Sequence, residues 1–205
     1  MKKASFKLLA AMAVAACMSV TPLFAKEATI TLIHTNDTHG NVKDDGKSVI
    51  GFAKLATYAK EAKANENAII VDAGDMFQGM PFANLENGQS VIKLANAVGY
   101  DAMTVGNHEF DFGSANFFNI VKQLNFPVIA SNLVTDDGKA ALESYIVKEV
   151  DGVKVGIFGM ATEETAFKTH PNNVAGYKFT DMIAAAEKNV KTLREKEGVD
   201  VVIMV

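Results

Sequence analysis

Three apolar runs in the first half of the chain each break off into a polar loop, and each loop carries groups able to bind a metal or move a proton. Residues 28–34 alternate and are rich in Thr and Ile, so they read as a strand, followed by Thr35-Asn36-Asp37-Thr38-His39-Gly40-Asn41. Residues 68–71 are a short continuous apolar run, as in a buried parallel strand, and end in Asp72-Ala73-Gly74-Asp75. Residues 101–105 lead into Gly106-Asn107-His108-Glu109-Phe110-Asp111-Phe112-Gly113. Helical patterns fall between the strands. Ser48 can cap a helix with Val49, Phe52, Ala53, Ala56 and Ala59 on one face. Residues 89–98 form a second, closed by Gly99. Strand–helix–strand order predicts a parallel sheet, whose loops then lie side by side on the rim where α/β folds build their sites.

The second half changes character. Residues 114–124 read as a helix with Phe117, Phe118, Val121 and Leu124 on its apolar side, and residues 127–130 as a fourth strand leading to Ser131-Asn132. Residues 145–150 and 153–160 then flank Asp151-Gly152, the strongest short hairpin signal, so an antiparallel pair interrupts the βαβ order. Thr180 caps a last helix with an inner face of Met182, Ile183, Ala186, Val190 and Leu193. Asp181 near its start and Lys196 near its end match the helix dipole. The final run, 200–205, is a buried strand that stops without turn or cap, so residues 26–205 are expected to be the N-terminal part of a longer domain.

With 205 residues, 49% of them hydrophobic, the chain holds enough apolar material for one core or part of a larger one. Lys2, Lys3 and Lys7, the apolar run 8–20 and the small residue Ala25 predict a signal peptide over residues 1–25. Its removal takes away those three lysines and no acid, moving the formal charge from −4 to −7. An acidic chain without a basic run argues against nucleic-acid polymers as partners. Cys17 is the single cysteine, so no internal disulfide is possible. Val14-Ala15-Ala16-Cys17 also resembles a bacterial lipobox, and lipidation at Cys17 would give a membrane-attached form. Cleavage after Ala25 is favoured, because residues 18–25 are more apolar than a lipoprotein tether. Either route predicts export to the periplasm, cell surface or medium.

Asp37 and His39 sit two positions apart, so in an extended turn both side chains can reach one ion. A carboxylate with an imidazole suits a borderline divalent metal such as Zn, Mn or Fe. Asp75 brings two oxygens that can bridge two ions, and Asn107 offers a neutral amide oxygen. His108 can carry a proton, with Asp111 to orient it. Asp72 and Asn132 lie near the same rim, as partners of the ligands or as loop caps. Glu109 orients the loop or caps the helix and is not counted as a ligand. His34 reads as structural, His170 as solvated, and Phe77 and Phe82 as packing residues.

Together Thr-Asn-Asp-Thr-His-Gly, Asp-Ala-Gly-Asp-Met-Phe-Gln-Gly and Gly-Asn-His-Glu-Phe-Asp-Phe-Gly resemble successive blocks of the calcineurin-like metallophosphoesterases, more narrowly the secreted 5'-nucleotidases. The similarity runs from about Ile30 to Val205. The resemblance implies an α/β fold of two packed mixed β-sheets flanked by helices, the four-layer αββα arrangement, incomplete at the C-terminus. It implies that Asp37 and His39 bind a first divalent ion, that Asp75 bridges two, and that Asn107 binds the second. It makes His108 and Asp111 the catalytic dyad, with a hydroxide between the ions attacking phosphorus. The family also uses later histidines, in a Gly-His-x-His block among others, and a C-terminal nucleotide-specificity domain. None of these lies within the sequence, so the piece alone is expected to be poorly stable and nearly inactive.

The implied activity is hydrolysis of nucleoside 5'-phosphates or related small phosphate esters. A 2',3'-cyclic nucleotide phosphodiesterase or a nucleotide-sugar hydrolase would share these residues. A non-catalytic exported binding protein is the alternative outside enzymes. A Rossmann cofactor binder is disfavoured, because no Gly-x-Gly-x-x-Gly follows the first strand.

Overall fold

In the computed structural model residues 27–205 are described; the leader and Cys17 lie outside the described residues. β1 (Thr31–Thr35), β2 (Ala68–Asp72) and β3 (Ala102–Met103) form a parallel sheet in that order. Its register runs from Thr31 opposite Ala68 to Thr35 opposite Asp72, then Asp72 opposite Met103. The central β2 is buried from Ile69 to Asp72, as its continuous apolar run requires of a strand covered on both faces.

Between β1 and β3 the chain forms α1 (Phe52–Asn65), a one-turn α2 (Pro81–Asn84) and α3 (Ile92–Val98). Phe52, Leu55 and Ala59 of α1 and Ile92, Ala95 and Val98 of α3 cover one face of the sheet at Ile70 and Met103. Ile69, Val71 and Ala102 on the other face pack with Ile129 against Val155 and Ile157 of a second sheet. That sheet holds β5 (Tyr145–Val150), β6 (Val153–Phe158) and β8 (Val201–Met204). β5 pairs antiparallel with β6 through the expected Asp151-Gly152 turn, and β8 runs parallel to β6. Outside it lies α6 (Met182–Thr192). Helix, sheet, sheet and helix thus stack in four layers. At the rim, α4 (Ser114–Val121) and the antiparallel pair β4 (Leu133–Thr135) and β7 (Tyr177–Phe179) enclose a third apolar cluster around Phe110 and Phe117. α5 (Thr165–Lys168) is a single turn leading into β7.

Several local expectations shift. α1 begins at Phe52, after Gly51 at φ 71°, because the Ser48 N–H and hydroxyl are drawn back to Asp45. Residues 127–130 join the sheet only through single bridges, Met103 to Val128 and Ile129 to Glu143. The cap of α6 is Asp181, which accepts the Ala184 N–H at 2.8 Å, while the Thr180 hydroxyl bonds the Asn132 carbonyl. The inner face of α6 is Met182, Ala185 and Ala186, continued by Leu193 just past its end, with Asn189 buried beside them. Ile183 and Val190 face outward at 71% and 41% exposure. Ala185 and Ala186 pack against the cluster that holds Phe158, and the Asn189 amide is satisfied by the Ala185 carbonyl at 2.7 Å.

At the end of the sheets away from the loops, Asp101 ties three layers together. Its carboxylate accepts the Ile70 N–H at 2.8 Å, the Lys63 ammonium at 2.9 Å, and the Lys148 ammonium from the second sheet. Burial alone would raise its pKa, but Lys148, the Ile70 N–H and Lys63 outweigh it and hold the group below the usual carboxylate range. Asp101→Ala takes the carboxylate from both lysines, leaving Lys63 with the Gly99 carbonyl and the buried Ile70 N–H unmatched, so about 2 kcal/mol of stability should be lost in chemical denaturation of the intact protein. A loss under about 0.5 kcal/mol would mean that water replaces this clamp at no cost.

Candidate metal centre

The loops after β1 and β2 are laced together by main-chain bonds that continue the sheet beyond its strands. Asp37 N–H donates to the Gly74 carbonyl at 2.9 Å, His39 N–H to Asp75 at 2.9 Å, and Gly40 N–H to Met76 at 3.0 Å. Asp37, His39 and Asp75 all adopt left-handed backbone, with φ of 51°, 45° and 60°. Side chains other than glycine rarely sit there, and such strain concentrates at functional sites. The loop after β2 also lies flush against the octapeptide. A Cβ on Gly74 would come within 2.3 Å of the Gly106 nitrogen, and one on Gly106 within 2.2 Å of Asp75 Oδ1. Only glycine permits this approach.

The result is a convergence of donors. Ligand atoms of His39, Asp75 and His108 lie within 4.8 Å of one another. The His39 Nδ1 is 3.2 Å from the Gln78 carbonyl, which can only accept, so Nδ1 donates there and Nε2 is the nitrogen left for a ligand. That Nε2 lies 3.7 Å from Asp37 Oδ1. Two donors about 2.1 Å from one tetrahedral ion stand roughly 3.4 Å apart, so the pair fits a shared divalent metal with little adjustment. Asp75 Oδ1 accepts the His108 N–H at 2.9 Å, which holds the carboxylate close to both imidazoles. The rings of His39 and His108 meet edge to face at 5.1 Å. Asn107 stands immediately before the single turn His108–Phe110 that carries His108.

His108 and Asp111 are brought together, with Nδ1 2.6 Å from Oδ2. Nε2 is therefore the nitrogen left for the cluster or a substrate. Burial pulls the His108 pKa down, but the Asp111 hydrogen bond and the charges of Asp111, Asp75 and Glu109 prevail and raise it.

Glu109 does more than its neighbours in sequence disclosed. It is 2% exposed, and its carboxylate accepts three main-chain N–H groups, from Asp75 at 2.7 Å, Met76 at 2.8 Å and Gly106 at 2.8 Å. Burial raises its pKa, the Asp75 charge adds to the rise, and the three N–H groups oppose it. Thr169 and Asn173 also reach the dyad: the Thr169 hydroxyl donates to Asp111 Oδ1 at 2.9 Å, and the Asn173 amide to the Asp111 carbonyl at 3.0 Å. Nothing in the Thr-His-Pro-Asn-Asn stretch marks it as close to residue 111. Asp72 lies fully buried beneath the loops, taking the Thr35 hydroxyl at 2.6 Å and the Gly74 N–H at 2.9 Å. Asn132 is also fully buried, but it brackets Ala161 and Thr180 through main-chain atoms and makes none of these bonds to the donor cluster. His34 is exposed on β1, Phe77 is core, and Phe82 is 45% exposed.

Residues 30–205 match the calcineurin-like phosphoesterase family. The chain belongs to that family. It is 31% identical over 186 residues to a 5'-nucleotidase of Vibrio cholerae, a match covering 88% of this chain and 34% of that protein. It is 33% identical over 187 residues to a 5'-nucleotidase of Bos taurus, covering 83% of this chain and 32% of that one. Among solved structures, the 5'-nucleotidase precursor from Thermus thermophilus superposes with a TM-score of 0.75 at 30% identity, over 85% of this chain and 36% of the other. The NAD nucleotidase of Haemophilus influenzae gives 0.75 at 26%, over 87% and 34%. The chain spans about a third of the length of these relatives. Among the described residues, no helix is long and apolar enough to cross a membrane.

In this calcineurin-like phosphoesterase, Glu109→Gln puts an amide N–H against groups that are themselves donors. Metal affinity of the intact protein, measured by chelator competition, should fall about tenfold. An affinity within twofold of wild type would show that Asp75 keeps its place without the clamp. Asp72 supplies a pH test. Burial raises its pKa from 3.8 to about 7, against the Thr35 and Gly74 hydrogen bonds. The native state thus holds a proton that the unfolded chain gives up near 3.8. Stability from this group is full below pH 3.8 and is lost as pH rises through about 7. In melts with chelator, the wild type should lose stability between about pH 4 and 7 relative to Asp72→Asn; parallel curves would refute the assignment.

Proposed function

We propose that this chain is the metal-binding part of an exported two-metal phosphoesterase that hydrolyses nucleoside 5'-phosphates or related small phosphate esters. The observation that carries the reading is the convergence of His39, Asp75 and His108 within 4.8 Å at the ends of three neighbouring parallel strands. Membership of a phosphoesterase family and the similarity to proteins named 5'-nucleotidases support the substrate class. Export rests on the basic, then apolar, leader sequence.

Asp37 and His39 would hold one ion, Asn107 another, and Asp75, with two oxygens, both. When bound, a pair of divalent ions polarises the phosphate oxygens and lowers the pKa of a water toward neutrality. The chain supplies the rest. The zipped loops hold the donors in place before metal arrives. Asp111 keeps His108 turned so that Nε2 faces the cluster side, where it protonates the leaving oxygen or stabilises the transferring phosphoryl group. A cleft of about 250 Å³ opens beside Asp37, lined by Asn36, Thr38, Asn41, Ser48 and Ile50.

The direct test is phosphate release from a nucleoside 5'-monophosphate by the intact protein, lost with chelator and restored by added metal. His108→Ala should lower turnover at least about 100-fold with metal content unchanged. Asp75→Asn should lose metal and rate together. Turnover of His108→Ala within threefold of wild type would sink the dyad, and chelator-resistant hydrolysis would sink the metal reading.

A further inference from the structure

The segment from α5 to β7 comes back to the site from far along the sequence. α5 stops at Thr169, which is extended at φ −96° and ψ 172°. His170 precedes Pro171, which disfavours helical backbone at that position, and Pro171 then starts a new short turn with its fixed φ. The His170 Nδ1 accepts the Asn172 N–H at 3.3 Å and caps that turn. Val174 closes it, buried in the same apolar cluster as Phe110. Thr169 itself is only 5% exposed. Its side chain is thus delivered to Asp111, 58 residues earlier, by packing rather than by local sequence.

The bonds at Asp111 divide its carboxylate. Oδ2 serves His108 Nδ1 at 2.6 Å, and Oδ1 accepts the Thr169 hydroxyl at 2.9 Å. The Asn173 amide forks between the Asp111 carbonyl at 3.0 Å and the Thr169 oxygen at 3.2 Å. The Thr169 hydroxyl therefore donates once and accepts once, and its direction is fixed. The terminal torsion of an aspartate is broad and two-fold, so nothing intrinsic to Asp111 selects the rotation that faces His108.

We propose that Thr169 is a positioning residue for phosphoester cleavage. It locks the Asp111 carboxylate so that the opposite oxygen holds the His108 imidazole toward the leaving group. The proposal rests on the reading of His108 and Asp111 as the dyad. In the step concerned, a water oxygen bonds to phosphorus and gives its proton to solvent. The P–O bond to the leaving group breaks, its electron pair stays on the leaving oxygen, and the proton on His108 Nε2 neutralises it. An alkoxide leaving group needs that proton; a nitrophenolate hardly does.

The test uses the intact, metal-loaded protein with adenosine 5'-monophosphate and 4-nitrophenyl phosphate. Thr169→Val keeps shape and removes the hydroxyl, Thr169→Ser restores it, and Thr169→Ala is a second deletion if valine disturbs folding. The deletions should lower kcat on the nucleotide about tenfold, the range seen when a partner orienting a site residue is removed. KM and metal content should stay within about twofold, and kcat on 4-nitrophenyl phosphate should fall less than threefold. Thr169→Ser should recover most of the rate. In a His108→Ala background, Thr169→Val should cost nothing further.

A deletion that leaves nucleotide turnover within twofold of wild type overturns the proposal. So does an equal loss on both esters that serine does not rescue, because that pattern marks a purely structural residue. If His108→Ala is itself harmless, the dyad fails and the proposal falls with it. If His108→Ala is crippled and the Thr169 variants are not, only the Thr169 assignment falls.

Discussion

One buried carboxylate carries the architecture of the site. Glu109 sits under the loops and receives the N–H groups of Asp75, Met76 and Gly106. Two of these belong to the loop after β2 and the third to the loop after β3, so a single side chain bolts two loops into one body. Without it, three N–H groups turned inward by a strained turn would stay unpaired in the interior, where each such loss costs about 1–3 kcal/mol. Burying an anion is itself unfavourable, and here the donors that surround it counter part of that penalty, although burial still raises the Glu109 pKa.

Main-chain bonds between the loops explain how left-handed backbone persists at three ordinary residues. Asp37, His39 and Asp75 are held there by each other's main chains, because the bonds from 37 to 74, 39 to 75 and 40 to 76 extend the sheet past its strands. Gly74 and Gly106 then allow the two loops to touch without side chains between them. Rigid placement of this kind matters for metal binding. Donors already gathered lose little freedom when an ion arrives, and their geometry selects the ion. Phe110, buried between His108 and Asp111 in sequence, anchors the same octapeptide in the cluster with Phe117 and Phe179.

Much of this was legible in the sequence, and the remainder was hidden for physical reasons. Period and punctuation disclosed the parallel order, the Asp151-Gly152 hairpin and the Gly99 stop. The three loops could be read as neighbours because parallel strands put their C-terminal ends on one side. The inner face of α6 differs from its sequence pattern because Asn189 interrupts the apolar stripe, while Ile183 and Val190 offer a stronger stripe that faces solvent. The strand at 127–130 shrank to bridges, since pairing depends on what a neighbour leaves free. Asp72 and Asn132 looked alike as rim residues. Only packing separates them, one gripping the Gly74 turn and the other holding Ala161 and Thr180. Thr169 lay beyond sequence reasoning, because its partner is 58 residues away in chain and adjacent only after folding.

Two ions sharing one aspartate is the claim on which the mechanism depends. Anomalous diffraction from crystals of the intact protein grown with Mn²⁺ reads that directly. Two peaks about 3.5–4 Å apart, with the Asp75 carboxylate between them and His39 and Asn107 on opposite sides, are the expected result. A single peak, or manganese held away from Asp75, would contradict it.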